Sequence, residues 1–223
     1  MFDQIMPYLP QLVVGLWVTL KVAGGAFLLS LVLAVLAVPL TVTKSPLIRR
    51  LLAGYVAVIR GVPELLVIFI IFYGGTVVLS KLAGGYVEVD ALMAGIVALS
   101  AVTFAYLLEI LRSALLSIPE GQREAARMLG LSPRQTYWRV IFPQMMQRAL
   151  AGIGNQWLVA LKESALVSVV GLEELMRKAV VAAGATHEPL AFYLMAGGIY
   201  VGITALSMLV LGGAERRLNP AMR

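Results

Sequence analysis

Residues 12–40 read LVVGLWVTLKVAGGAFLLSLVLAVLAVPL, a run in which Lys21 is the sole charge. A membrane-spanning helix needs roughly 20 predominantly apolar residues. This run is long enough, and the cluster Lys44-Ser45-Pro46 with Arg49-Arg50 marks its return to water. It shows no alternation of apolar and polar residues, which rules out a barrel strand, and backbone in lipid must otherwise bond to itself as helix. Four further runs follow: 51–79, interrupted by Arg60-Gly61-Val62-Pro63-Glu64; 91–116; 146–170, containing Lys162-Glu163; and 190–214. The sequence therefore predicts an all-α membrane protein, one transmembrane domain over 1–223 with about five helices. A polar loop, 117–143, separates the third run from the fourth.

Composition points the same way. The 223 residues are 60% hydrophobic and only 13% charged, with a mean hydropathy of +0.89, whereas a soluble domain carries about 25% charged residues. With no cysteine, disulfide frameworks, thiolate zinc sites and thiol nucleophiles are all excluded. The net charge of +6 could suit nucleic acid, but the basic residues stand in short blocks between apolar runs instead of along one soluble face. That arrangement encodes topology. Lys44, Arg49 and Arg50, then Arg123, Arg127, Arg134, Arg139 and Arg148, then Arg216, Arg217 and Arg223 occupy alternate loops and the C-terminal tail. The other side holds Lys81, Arg177 and Lys178 among Asp3, Glu88, Asp90, Glu173, Glu174 and Glu188. Positive-inside bias then predicts the N-terminus outside and the C-terminus in the cytoplasm. The first run is too long for the apolar core of a cleaved signal and Asp3 stands where basic residues would precede one, so it is expected to stay attached.

The loop is the most specific stretch. Residues 121–144 read GQREAARMLGLSPRQTYWRVIFPQ. Glu124 to Leu129 are good helix formers, stopped by Gly130. Ser132 then reads as an N-cap with Pro133 at the first helical position, opening a second short helix over 135–140 that closes before Pro143. Two amphipathic helices joined at a glycine make a rigid knob.

Glu124-Ala125-Ala126, Gly130 and Pro143 are spaced as in the cytoplasmic signature of ABC importer permeases, which this loop resembles. It departs at the two aliphatic positions, where it has Val140 and Phe142, both still apolar. The resemblance continues in Arg60-Gly61-Val62-Pro63-Glu64-Leu65, in Gly152-Ile153-Gly154-Asn155-Gln156 and in residues 165–175, ALVSVVGLEEL. These look like the polar amino-acid branch of that family, the one for histidine, arginine, ornithine and opines. What it implies is a multi-pass permease subunit of the bacterial inner membrane, importing polar, cationic amino acids or opines by alternating access. The knob would dock on a cytoplasmic ATPase dimer. A second permease subunit, a non-identical homologue or a further copy, and a periplasmic substrate-binding protein would complete the assembly. ATP and Mg would be held by the ATPase, with no cofactor in this chain and no nucleic-acid partner. In keeping with that, the sequence lacks a Gly-x-x-x-x-Gly-Lys-Ser/Thr phosphate loop, His-Glu-x-x-His and Gly-x-Ser-x-Gly, and is expected to be non-catalytic. An ion-coupled secondary transporter would also use a broken helix with midplane charges, but would not need the knob.

Ionisable groups inside the runs are costly, about 2.5–3.5 kcal/mol at mid-bilayer on insertion scales, and so are candidate sites. Gln156 lies seven residues before Glu163, on one helix face, where an amide and a carboxylate could receive a substrate cation. The other reading pairs Glu163 with Lys162 or Arg60. Lys162, adjacent in sequence, should point about 100° away. Arg60 and Glu64 could form a local pair beside a Pro63 kink, or contact substrate. Glu109 and Arg112 read as an interfacial pair, Lys21 as a snorkelling group, His187 as a loop residue and the methionines as packing.

Overall fold

The computed structural model describes residues 6–87 and 89–218, side chains from 214 onward excepted. Asp3, Glu88 and Arg223, and the side chains of Arg216 and Arg217, lie outside the described residues. Nine α-helices follow one another among them, with no strand: α1 (Leu9–Ala37), α2 (Pro46–Gly61), α3 (Glu64–Ala83), α4 (Ala91–Leu116), α5 (Glu120–Met128), α6 (Pro133–Thr136), α7 (Phe142–Glu163), α8 (Leu175–Thr186) and α9 (Pro189–Leu218). Met6–Val42, Glu64–Ala83, Ala91–Leu116 and Pro189–Gly213 are long and apolar enough to cross a membrane.

The second predicted run, 51–79, is two helices. Val62 and Pro63 adopt extended backbone, with ψ of 141° and 130°. Proline disfavours helical backbone in the residue before it, and Val62 obeys. α2 is consequently amphipathic, with no fully buried residue, and α3 is the apolar span. The fourth run, 146–170, is also divided: α7 carries Arg148, Lys162 and Glu163 and passes at Ser164 into a 3-10 segment, Ser164–Val170, that ends on Gly171 at φ 93°.

α4 is the central helix, packed against α1, α2, α3 and α7. Its neighbours approach closely because the contacts are made with small residues, the usual device between helices in lipid. The space a Cβ would fill at Gly152 is occupied by Ile110 Cγ2, and at Gly95 by Val167 Cγ1, each 2.7 Å away. One apolar cluster joins Ala34, Val38, Leu107, Leu111 and Leu115 to Ile141, Met145 and Ile153; a second joins Leu12 to α8 and Phe192 of α9. Half of the residues of α3 and more than half of the described side-chain positions of α9 are exposed. Apolar side chains turned outward are what a lipid-facing or subunit-facing helix presents.

The loop is built as expected up to its second helix. α5 ends in a Schellman turn: Leu131 N–H donates to Ala126 C=O at 3.1 Å, Gly130 N–H to Arg127 C=O at 2.9 Å, and Gly130 sits at φ 75°. Ser132 caps α6 in a full capping box, Gln135 N–H donating to Ser132 Oγ at 3.3 Å and Ser132 N–H to Gln135 Oε1 at 2.9 Å. The second short helix does not close before Pro143. It widens into a π turn, Tyr137–Ile141, and runs on as α7. Pro143 has no N–H to offer and its ring crowds the carbonyl four residues back, that of Arg139. Arg139 lies inside the widened turn, so the helix accommodates the proline by opening one turn.

Candidate functional site

The broken second run decides the fate of Arg60 and Glu64. On one continuous helix they would face each other four residues apart; across the Val62-Pro63 break they do not pair. Arg60, exposed at the end of α2, lies over the Tyr106 ring with its Cζ 5.3 Å from the centroid. Glu64, at the start of α3, accepts from the Tyr106 hydroxyl at 3.2 Å. Tyr106 of α4 therefore joins the two, and sequence reasoning passed it over. The signal was there: a tyrosine inside an apolar run needs a partner for its hydroxyl.

Glu163 arrives at the same place from the last turn of α7. Its carboxyl interacts directly with that of Glu64, and Tyr106 feels the charge of Glu64, Glu163 and Arg60 together. Glu163 forms no ion pair with Lys162 or Arg60; the ion pairs among the described residues are Arg112–Glu109, Arg123–Glu120 and Lys178–Glu173. Glu163 Oε2 is buried without a hydrogen-bond partner. Lys162 points elsewhere, lining a cavity of about 290 Å³ beside Tyr193 and Tyr200 of α9. Gln156 is buried at 5% exposure and its Nε2 also lacks a partner. Two carboxyl groups from different helices that meet this closely cannot both stay ionised and unpaired; they share a proton or take up a cation. A guanidinium, with donors in a fixed fork, matches such a pair in geometry.

Cavities border Arg60 on the side of the loop. A cavity of about 690 Å³ is lined by Arg49, Arg60, Glu109 and Arg112, and one of about 350 Å³ by Arg60, Tyr106, Glu109 and Arg148. Arg60 and Glu109 border both. Glu109 accepts from Arg112 Nε and Nη2 at 3.0 and 3.2 Å, the local pair expected from their spacing.

In the loop, Glu124, Ala125, Gly130 and Pro143 are exposed, whereas Ala126 is 3% exposed, on α5 where that helix packs against α6 and the π turn. Met128 and Leu129, 91% and 80% exposed, were not singled out from sequence. Large apolar side chains left exposed at a helix end mark an interaction surface, for another protein or for the membrane. Among the described residues no three of His, Asp and Glu gather as a metal site, and His187 is exposed at the C-terminal cap of α8 with φ 58°.

A second polar centre lies at the opposite end. Glu174 is fully buried and caps α8. It accepts from Arg177 N–H at 2.7 Å, Met176 N–H at 2.9 Å, Tyr200 OH at 3.1 Å and Thr19 Oγ1 at 3.2 Å. Thr19 Oγ1 in turn accepts from Leu175 N–H at 3.1 Å. Burial pushes the Glu174 carboxyl above the usual carboxylate range, against the opposing pull of those four donors.

Comparison with known proteins matches this architecture. Residues 26–220 fit the family described as binding-protein-dependent transport system inner membrane component. The chain is 38% identical over 204 residues to the octopine transport system permease protein OccQ of Rhizobium radiobacter, covering 89% of this chain and 86% of that one. It is 35% identical over 213 residues to the histidine/lysine/arginine/ornithine transport system permease protein HisQ of Escherichia coli, covering 94% and 93%. It superposes on a chain of an amino acid ABC transporter crystallised with histidines at a TM-score of 0.85, with 31% identity and coverage of 97% and 98%. An ion-coupled secondary transporter, the other reading of a broken helix with midplane charge, finds no support in these relatives. The chain belongs to the binding-protein-dependent inner-membrane component family and is a multi-pass, non-catalytic permease subunit of an ABC importer.

Proposed function

We propose that this subunit carries polar, cationic amino acids or opines across the bacterial inner membrane, receiving the substrate cation between Glu163 and Glu64. The observation that carries the reading is the buried Glu163 carboxyl, its Oε2 without a partner, with the Glu64 carboxyl beside it. Gln156, its amide nitrogen also free, lies on the same α7 face and would accept or donate to the α-amino and carboxylate end of the substrate. Arg60, held over Tyr106, would meet a substrate carboxylate. Permeases resembling it carry octopine and histidine/lysine/arginine/ornithine in their names; those cargoes share a cationic side chain with carboxylate, which suits a site with acidic and basic members.

In this reading five segments cross the bilayer, α7 with its 3-10 extension serving as the fourth, the N-terminus outside and the C-terminus in the cytoplasm. The 117–143 loop is then cytoplasmic. Glu124, Ala125, Gly130 and Pro143 present it to a groove of an ATPase dimer, and exposed Met128 and Leu129 fill that groove. Ala126 is instead buried within the loop's own fold. A second permease subunit closes the substrate path, a periplasmic binding protein delivers the cargo, and ATP with Mg stays with the ATPase.

The test is uptake of labelled arginine by the assembled transporter in proteoliposomes, with its binding protein present. Glu163→Gln and Glu64→Gln are each expected to lower uptake at limiting substrate by about tenfold or more, the loss of one charge-assisted contact, while assembly persists. Uptake equal to wild type in both variants removes the carboxylate pair from the site.

A further inference from the structure

We propose that the cavity between α5, the π turn and the ends of α1 and α4 binds the phosphate headgroup of an anionic phospholipid from the cytoplasmic leaflet. The inference rests on the orientation proposed above. The cavity measures about 250 Å³, and its polar lining comes from Arg123 and Arg127 of α5 with Thr136 and Tyr137 at the start of the π turn. Thr136 is 7% exposed. Its Oγ1 and the Tyr137 hydroxyl are both buried with no hydrogen-bond partner. Buried hydroxyls nearly always have partners, and two orphans bordering one cavity point to a shared ligand.

The chemistry of the lining selects that ligand. Both hydroxyls and both guanidinium groups can donate, and none of the four is an obligate acceptor, so the complement is an acceptor-rich anion. Arg123 is partly engaged by Glu120 at 3.2 Å. Arg127 has no ion pair among the described residues. A phosphate diester offers the acceptor oxygens that an arginine fork matches. The rest of the wall is apolar, including Pro39, which follows α1, and Leu115 in the last turn of α4. Hydrocarbon walls at the ends of two apolar helices suit the glycerol carbons of a lipid at headgroup depth better than a hydrated free ion. A lipid there touches α5 and the root of α7 together, and so ties the knob to the rod behind it.

The experiment uses the assembled transporter in nanodiscs of phosphatidylcholine doped with phosphatidylglycerol, with native mass spectrometry counting the phosphatidylglycerol retained after detergent exchange. A parallel arm in pure phosphatidylcholine supplies inorganic phosphate. Wild type is expected to retain phosphatidylglycerol, and both Arg127→Gln and the double variant Thr136→Val/Tyr137→Phe to lose about tenfold of it. Arg127→Lys, which keeps the charge, should recover part of the loss. Equal retention in wild type and in both variants overturns the proposal. Phosphate bound without lipid retained overturns the lipid assignment in favour of a free anion. If the double variant does not assemble, surface-exposed Arg127→Gln decides alone. Retention is read without transport, so a Glu124→Lys transporter that keeps its lipid while uptake is unchanged would sink the coupling reading and leave this one standing.

Discussion

Replacing Glu174 by alanine removes the acceptor on which α1, α8 and α9 converge. Four donors lose a partner at once: the N–H groups of Met176 and Arg177 and the hydroxyls of Thr19 and Tyr200. A hydrogen bond to a charged acceptor contributes about 1.5–3 kcal/mol, and loss of an N-cap about 1 kcal/mol. These do not add, because the four donors share one carboxylate, and burying that carboxylate was itself costly. Leaving buried neutral donors without a partner costs about 1–3 kcal/mol each, and allowing for their non-additivity we take about 3–5 kcal/mol in total as the expected loss. For a chain of this size about 1 kcal/mol moves the melting temperature by roughly 2–4 °C, so the drop should be about 6–20 °C. Glu174→Gln keeps the shape and one acceptor oxygen and should lose only about 1 kcal/mol. The assay is thermal unfolding of the detergent-purified subunit, run as a double-mutant cycle with Thr19→Val. Coupling between the two positions should reach about 0.5–3 kcal/mol, as for residues in one network. A Glu174→Ala melting point indistinguishable from wild type, or strict additivity with Thr19→Val, would show that the cluster does not hold the three helices together.

The remaining expectations concern charge, space and capping. Burial raises the Glu174 carboxyl, so the folded state holds its proton more tightly than the unfolded one. Its contribution is therefore complete below the unfolded value, about 4.3, and declines as pH rises through the higher folded value. Wild type should lose melting temperature across that window and Glu174→Gln should not; parallel curves contradict this. A Cβ at Gly15 would stand 2.9 Å from Leu175 Cα and 3.0 Å from Leu175 N, backbone that cannot step aside. Gly15→Ala should then cost about 1–3 kcal/mol. Gly24→Ala, with nothing within 4 Å, should be neutral or gain up to about 1 kcal/mol from helix propensity; equal melting points for the two variants would refute the contact. Ser132→Ala breaks the capping box and should cost about 1 kcal/mol of local stability, seen as faster amide exchange over residues 134–137 and nowhere in α9.

What could be read from the sequence and what could not divides along a physical line. Gly130 and Ser132 were readable because a cap is a local device: its donors and acceptors lie within a few residues of one another. The Glu109–Arg112 pair was readable for the same reason. Glu174 was placed in an outer loop as one of several acidic residues. Its partners Thr19 and Tyr200 lie 155 and 26 residues away, and no local pattern marks such a convergence. Arg60 and Glu64 failed in the opposite direction. Their spacing suggested a helical pair, yet the Pro63 between them removes the helix that would make the spacing meaningful. Tyr106 then takes both residues, a substitution of tertiary for local partners that only the packing of α2, α3 and α4 decides.

The π turn bears on how the proposed coupling would work. From the Ser132 cap to Gly171 the chain is helical without a break, passing through α6, the π turn, α7 and the 3-10 segment. The knob and Glu163 thus sit on one rod, α7 alone spanning about 33 Å at 1.5 Å per residue. Packed helices shift as bodies and are poorly compressible, so displacement of the loop must translate or rotate the Glu163 carboxyl relative to Glu64, which belongs to α3. The two carboxyl groups are on different bodies, and only that arrangement lets motion at the loop change their separation. The irregular step in the rod is the π turn, where Phe142 N–H reaches back to Tyr137 C=O. A ligand seated on Thr136 and Tyr137 would stiffen that step. Coupling efficiency should therefore depend on the cavity beside it and substrate affinity should not, a separation that the lipid-retention and uptake measurements together resolve.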